Sequence, residues 1–251
     1  MKNALLIAML LVCAACRERS APEPPPAATT AAVSDTVTEP APAPATAPET
    51  APPAPAAPAP APAVAGPKLR PVDEGAGDPA LAAYRKELLA AVRARDVEKI
   101  VALSDPKIRT SFGGGSGADD LRRMLRDEKT VADLEQLLTL GGTFRGAGDQ
   151  HSFWAPYVYS AWPDEHDPFE SLAVIGENVP LRQSDAAGAD TIATLSYDIV
   201  KRSNAPGTNV KTADGRSGWA DPERLRSPVG YRAGFMQSGG RWRMNALVAG
   251  D

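Results

Sequence analysis

Between Ala21 and Pro67 proline and alanine almost alternate, and fifteen of the chain's 25 prolines fall in this stretch. Such a segment has nothing large to bury and lacks many amide donors, so it is expected to be disordered with polyproline II character. Its few charges, Glu23, Asp35, Glu39 and Glu49, are acidic, and it holds no lysine or arginine. At ~3.1 Å per residue its contour exceeds ~100 Å, enough to hold a domain away from an anchor. No PxxP arrangement stands out from the general repetition, which favours a spacer over a docking motif. The chain is thereby divided into a short leader and one foldable region that starts at Lys68.

The leader has the anatomy of a secretory signal. Lys2 supplies a positive start, Ala4 to Val12 is an unbroken apolar run, and small residues lead to Cys13-Ala14-Ala15-Cys16. A membrane-spanning helix needs about 20 apolar residues, and Arg17, Glu18 and Arg19 stop this one short. The junction resembles a bacterial lipobox, with Cys13 where leucine is usual. That resemblance implies residues 1–15 as signal peptide, Cys16 as lipidated N-terminus and residues 16–67 as tether. The plain alternative is an ordinary secretory signal cleaved near Ala15. After cleavage before Cys16 the one remaining cysteine is lipid-bound, which excludes a disulfide, a zinc thiolate site or a cysteine nucleophile. Arg17, rather than an aspartate, after Cys16 resembles the sorting pattern of lipoproteins sent to the outer membrane. The expected partner here is a membrane, reached through the lipid anchor, on its periplasmic face.

The foldable region is mildly acidic, within a chain of net charge −4, and nothing in it suggests nucleic-acid binding. Asp78-Pro79 reads as an N-cap followed by proline at the first helical position, and Leu81, Tyr84, Leu88 and Val92 recur at helical spacing. A short helix carries Val97, Ile100 and Val101 and ends at Asp105-Pro106. Lys107 to Phe112 alternates as a strand; helical stripes follow at Leu121, Met124, Leu125 and at Val131, Leu134, Leu137, Leu138, stopped by Gly141-Gly142. At the other end, Tyr231, Ala233 and Phe235 alternate, Ser238-Gly239-Gly240 turns, and Trp242 and Met244 alternate back. This is a hairpin with an apolar face and an arginine-rich face (Arg232, Arg241, Arg243). A lone hairpin is marginal, so it needs a partner surface. We therefore expect a discontinuous α+β domain, residues 68–170 plus 228–251. The run Gly239-Gly240-Arg241-Trp242-Arg243-Met244 is similar to the last strand of nuclear transport factor 2-like folds.

From Leu172 the chain turns to short strands: Leu172–Ile175, Asn178–Leu181, Thr191–Leu195, Ile199–Lys201 and Val210–Thr212, the last followed by the turn Asp214-Gly215 and by Ser217-Gly218-Trp219-Ala220. Residues Glu177 to Arg182, Ile192 to Leu195, and Asp214-Gly215-Arg216-Ser217-Gly218-Trp219 with Leu225 resemble a bacterial SH3-like domain. The match departs from the family where Pro180-Leu181 intervenes between Val179 and Arg182, and where Gly207-Thr208-Asn209-Val210 lacks a tryptophan. The resemblance implies a small SH3-like β-barrel over residues 171–227, giving an α+β chain of N-terminal helices, C-terminal hairpin and barrel. It also implies a non-catalytic module binding peptidoglycan peptide or an envelope protein partner.

Candidate chemistry is sparse. Gly113-Gly114-Gly115-Ser116-Gly117 could cradle an anion, but it has no lysine, and Asp119 and Asp120 oppose one. The two histidines, His151 and His166, lie among Asp149, Asp164 and Asp167 without the i, i+4 pairing of a helical metal site. We expect no catalytic residue, no metal and no cofactor. The aromatic cluster Phe153, Trp154, Tyr157, Tyr159, Trp162 suits a peptide or glycan, or else covers a junction between domains. From it, and from the barrel, Trp154, Tyr157, Tyr159, Trp162 and Trp219 are the ligand-binding candidates. Two functions follow: a non-enzymatic envelope lipoprotein that binds a wall peptide or an envelope partner, or a cell-wall hydrolase in which the barrel only targets another domain.

Overall fold

The structure, a computed structural model, describes residues 61–148, 151–203 and 208–250. Signal residues 1–15, Cys16, tether residues 17–60 and Asp149 lie outside the described residues. The first helix, α1 (Pro79–Arg93), starts where the Asp78 carboxylate accepts the Ala80 and Leu81 amides, and it buries Leu81, Leu88 and Val92. Asp96 caps α2 (Val97–Leu103) in the same way, and Asp127 caps α4 (Glu128–Thr139), with α3 (Ala118–Met124) between them. Strand β1 is Ser104–Arg109, upstream of the expected Lys107–Phe112. Asp105-Pro106, read as a helix stop, lies inside the strand. Proline is tolerated there because β1 is an edge strand whose register slips between Ser104 and Arg109.

Strands β2 (Thr143–Arg145) and β3 (Ser152–Ala155) come next, then the single turn α5 (Tyr157–Ser160). The chain ends in the hairpin β11 (Arg232–Ser238) and β12 (Arg241–Val248). These strands form one sheet in the order β1-β12-β11-β3-β2, with β1 parallel to β12 and the rest antiparallel. Strand alternation sorts the side chains onto two faces. Ile108, Phe153, Ala155, Ala233, Phe235, Trp242 and Met244 point at the helices and pack with Leu81, Leu88, Ile100, Leu121 and Leu134. Their neighbours Arg109, Arg145, Trp154, Arg232 and Gly234 consequently belong to the opposite face, away from that core and beside Tyr159 of α5.

The second sheet is built from β4 (Ser171–Val174), β5 (Val179–Arg182), β6 (Thr191–Leu195), β7 (Ile199–Arg202), β8 (Asn209–Lys211), β9 (Ser217–Trp219) and β10 (Leu225–Arg226). The short strands expected from the sequence are present to within a residue or two, and Asp214-Gly215 turns between β8 and β9. The expected small SH3-like β-barrel is not. The seven strands run β10-β4-β7-β8-β9-β5-β6, and among the described residues β10 and β6 do not pair to close a barrel. The outer edge of β6 is already occupied. The Val64 amide donates to Thr194 O at 3.1 Å and the Thr194 amide to Pro62 O at 3.0 Å, so residues expected in the tether take the bonds that closure needs. Val64 enters the sheet's core, and Lys68 bonds the buried carboxylate of Asp198 at 2.6 Å. The fold is thus two open sheets with five helices among the described residues, and not helices plus a small barrel.

Candidate functional site

The face of the first sheet that points away from α1 to α4 carries alternating guanidinium groups and aromatic rings. Arg109, the last residue of β1, lies over the Phe112 ring at 5.3 Å. Arg232, the first residue of β11, lies over the same Phe112 ring at 5.1 Å and over the Tyr159 ring at 4.6 Å. Arg145, the last residue of β2, lies over Tyr159 at 4.9 Å. The ladder Arg109–Phe112–Arg232–Tyr159–Arg145 therefore draws on three strands, one loop and α5. Each contact is worth ~0.5–1 kcal/mol when exposed and ~2 kcal/mol when desolvated. Arg232 is at the desolvated end, being 5% exposed. Arg145 is fixed further by donating to Ser160 O at 2.8 Å.

Trp154 backs the ladder. Its indole meets the Tyr159 ring edge-on at 5.6 Å, and its Nε1 donates to Ser152 Oγ at 3.0 Å. The ring lies across Gly234 so closely that a Cβ there would be 3.0 Å from two of its carbons, so glycine is required by approach rather than by φ. Beside Tyr159 a pocket of about 260 Å³ opens between Arg145, Arg232, Trp162, Phe169 and Val229, with Asp164 on its wall. Phe112 and Phe169 are the exposed large hydrophobic residues among those described, 45% and 55% exposed. One is a rung of the ladder and the other lines its pocket. A single exposed phenylalanine needs no explanation, but here one stacks on Arg232 and the other lines the pocket beside it.

A guanidinium stacked on a ring keeps its N–H edges available for a planar carboxylate. Among the described residues, neither Arg109 nor Arg145 forms an ion pair with a carboxylate. The face can thus hold an anion and place an apolar group beside it.

The five aromatic candidates are divided by the fold. Trp154 and Tyr159 stand on the ladder face, and Trp162 lines the adjoining pocket while donating to His166 O at 2.7 Å. Tyr157 is wholly buried with Leu69, Val158, Ala173, Ile175 and Ile199, in the cluster that links α5 to β4 and β7. Its burial, with a smaller contribution from Tyr197, pushes the phenol up to about 12. Trp219 lies on β9 opposite Asn209 and Arg182, in the other sheet. Cys16 lies outside the described residues.

The remaining candidates are occupied locally. The Gly115 amide donates to Ser111 Oγ and the Ser116 amide to Asp120 Oδ2, both at 2.8 Å, so these two donors of the glycine run are taken by its own loop. His151 stacks on Phe144 at 4.7 Å. Among the described residues no group of three or more metal-ligating side chains comes together. Sequence reasoning missed Arg109, Phe112, Arg145 and Phe169. Arg232 was visible on the arginine-rich side of the hairpin, though its ring partners were not.

No family model matches the chain, and no curated protein does. Among solved structures it is similar to an uncharacterised protein with a cystatin-like fold from Caulobacter vibrioides, at 13% identity and a TM-score of 0.29, over 70% of this chain and 89% of that one. An NTF2-like protein of unknown function from Pseudomonas putida gives 12% identity and a TM-score of 0.27, over 71% and 89%. An NTF2-like protein with a cystatin-like fold from Novosphingobium aromaticivorans gives 12% and 0.26, over 70% and 86%. Likeness this slight assigns no activity.

Proposed function

We propose that the chain is a non-enzymatic lipoprotein of the cell envelope, anchored through Cys16 at the periplasmic face of the outer membrane. Its tether carries a domain that holds a carboxylate-bearing wall peptide on the arginine–aromatic ladder. The observation that carries this reading is Arg232, buried between Phe112 and Tyr159 and flanked by two arginines without carboxylate partners among the described residues. Stem peptides of peptidoglycan combine free carboxylates with small apolar side chains, which suits stacked guanidinium edges beside a pocket lined by Trp162 and Phe169. The ladder supplies donors and ring faces, which bind and orient a peptide.

The test is retention of the mature chain, in detergent, on purified peptidoglycan sacculi. Retention that falls when Phe112 and Phe169 are both replaced by alanine supports the reading. No retention at physiological salt overturns the wall-peptide part, and release of muropeptides overturns the non-enzymatic part. Mass spectrometry of the mature N-terminus tests the anchor, which fails if Cys16 is unmodified or absent.

A further inference from the structure

A second arginine is buried away from the ladder. Arg226, on β10, is 6% exposed and faces a groove of about 880 Å³ between β10 and α4. Its Nη1 donates to Gln136 Oε1 and its Nη2 to Tyr231 O, the latter at 2.9 Å. A guanidinium has five N–H donors, and these bonds engage two of them. The buried Nε has no partner among the described residues, and neither has the buried Oγ of the next residue, Ser227, which lines the same groove. No carboxylate lies within ion-pair distance of Arg226 among the described residues. The acid whose charge acts on it is Asp133, which is engaged by Lys129 at 2.7 Å. A buried guanidinium stays charged, and a charge in this position is unfavourable unless something neutralises it.

We infer that the groove between α4 and β10 is a binding site for a monocarboxylate, with Arg226 as its buried cation and Ser227 as a supporting donor. The valence follows from the walls. Lys129 and Asp133 form an ion pair, Glu223 and Arg224 add one charge of each sign to the lining, and Arg226 leaves one positive charge over. A phosphate carrying two charges exceeds that single positive charge, whereas one carboxylate matches it. Leu140, Ile175 and Ala249 give the groove an apolar side, which suits a carboxylate carried on a short aliphatic body. This site is separate from the ladder and stands or falls independently of the wall-peptide reading.

The experiment is calorimetric titration of the mature chain with N-acetylalanine, its neutral amide and inorganic phosphate, at constant ionic strength. The acid is expected to bind saturably, with the amide and phosphate at least ~10-fold weaker, a difference of ~1.4 kcal/mol. Arg226→Gln is expected to bring the acid down to the level of the amide. Asp133→Asn removes the one acid acting on Arg226 and is expected to tighten acid binding several-fold, which keeps the test decisive if the arginine variant does not fold. Equal binding of acid and amide, preference for phosphate, or an Asp133→Asn variant that is destabilised without gaining affinity overturns the proposal. The last result makes Asp133 the counterion of Arg226. Phe112→Ala and Phe169→Ala are expected to leave this titration unchanged.

Discussion

Arg226 and Arg232 stand six residues apart and are buried to nearly the same degree, yet their surroundings compensate the charge in different ways. Arg232 is stacked on two rings, whose quadrupoles meet part of its charge, and its stem is packed on a sheet. Arg226 has a side-chain amide, a backbone carbonyl and a distant aspartate, and its Nε is left bare. The first arrangement completes a surface and the second leaves a deficit at the bottom of a groove. A buried arginine is therefore compensated by its own fold in one place and left short of a partner in the other.

The comparison breaks most easily at Arg232. Arg232→Ala removes two desolvated cation–ring contacts and uncovers Phe112 and Tyr159, and we expect a loss of about 2–4 kcal/mol in urea denaturation. Arg226→Met should change stability by less than ~1 kcal/mol or raise it, because an apolar side chain of similar length removes an uncompensated charge. Equal losses in the two variants would erase the distinction between the two sites.

Part of this was legible before any coordinates. Asp78 and the periodic Leu81, Leu88 and Val92 marked α1, because capping and amphipathic spacing are local properties. The C-terminal hairpin and the Asp214-Gly215 turn were legible for the same reason. The sheet orders were not, since nothing local says that β1 runs parallel to β12 or that residues 62–64 cap the edge of β6. The barrel expectation failed there: correct strands do not determine closure when an upstream segment competes for the last edge. Of the site, the aromatic residues around Trp154 and Tyr159 were visible as a cluster. The arginines that stack on them come from β1, β2 and β11, and residues so distant in sequence show no spacing that joins them.

Acid separates the two regions without mutation. Asp127 caps α4, which forms one wall of the Arg226 groove, and it is held below the usual carboxylate range by the Thr130 hydroxyl and the Thr130 amide. A carboxylate depressed in the folded state contributes stability that is present above its unfolded value of ~4 and lost as the pH falls through its lower folded value. The first-turn amides of α4 should then lose hydrogen-exchange protection as the pH drops below ~4. Amides of β3 and β11, in the sheet that carries the ladder, should keep theirs. Loss of protection in both at one pH would mean that the groove and the ladder open as a single unit.

The smallest stability effect is expected at Phe169. Its ring is 55% exposed, so Phe169→Ala should shift the denaturation midpoint by no more than ~0.5 kcal/mol in stability. It nevertheless closes one side of the pocket beside Tyr159 and Arg232, and an aromatic anchor next to a guanidinium is the kind of residue on which binding energy concentrates. Retention on sacculi should therefore fall by roughly tenfold while the Arg226 groove still binds its carboxylate. A variant that keeps full retention would reduce the exposed ring to ordinary surface and leave the ladder as a device for burying Arg232. A variant that loses both activities would instead place the ladder and the groove on one continuous surface.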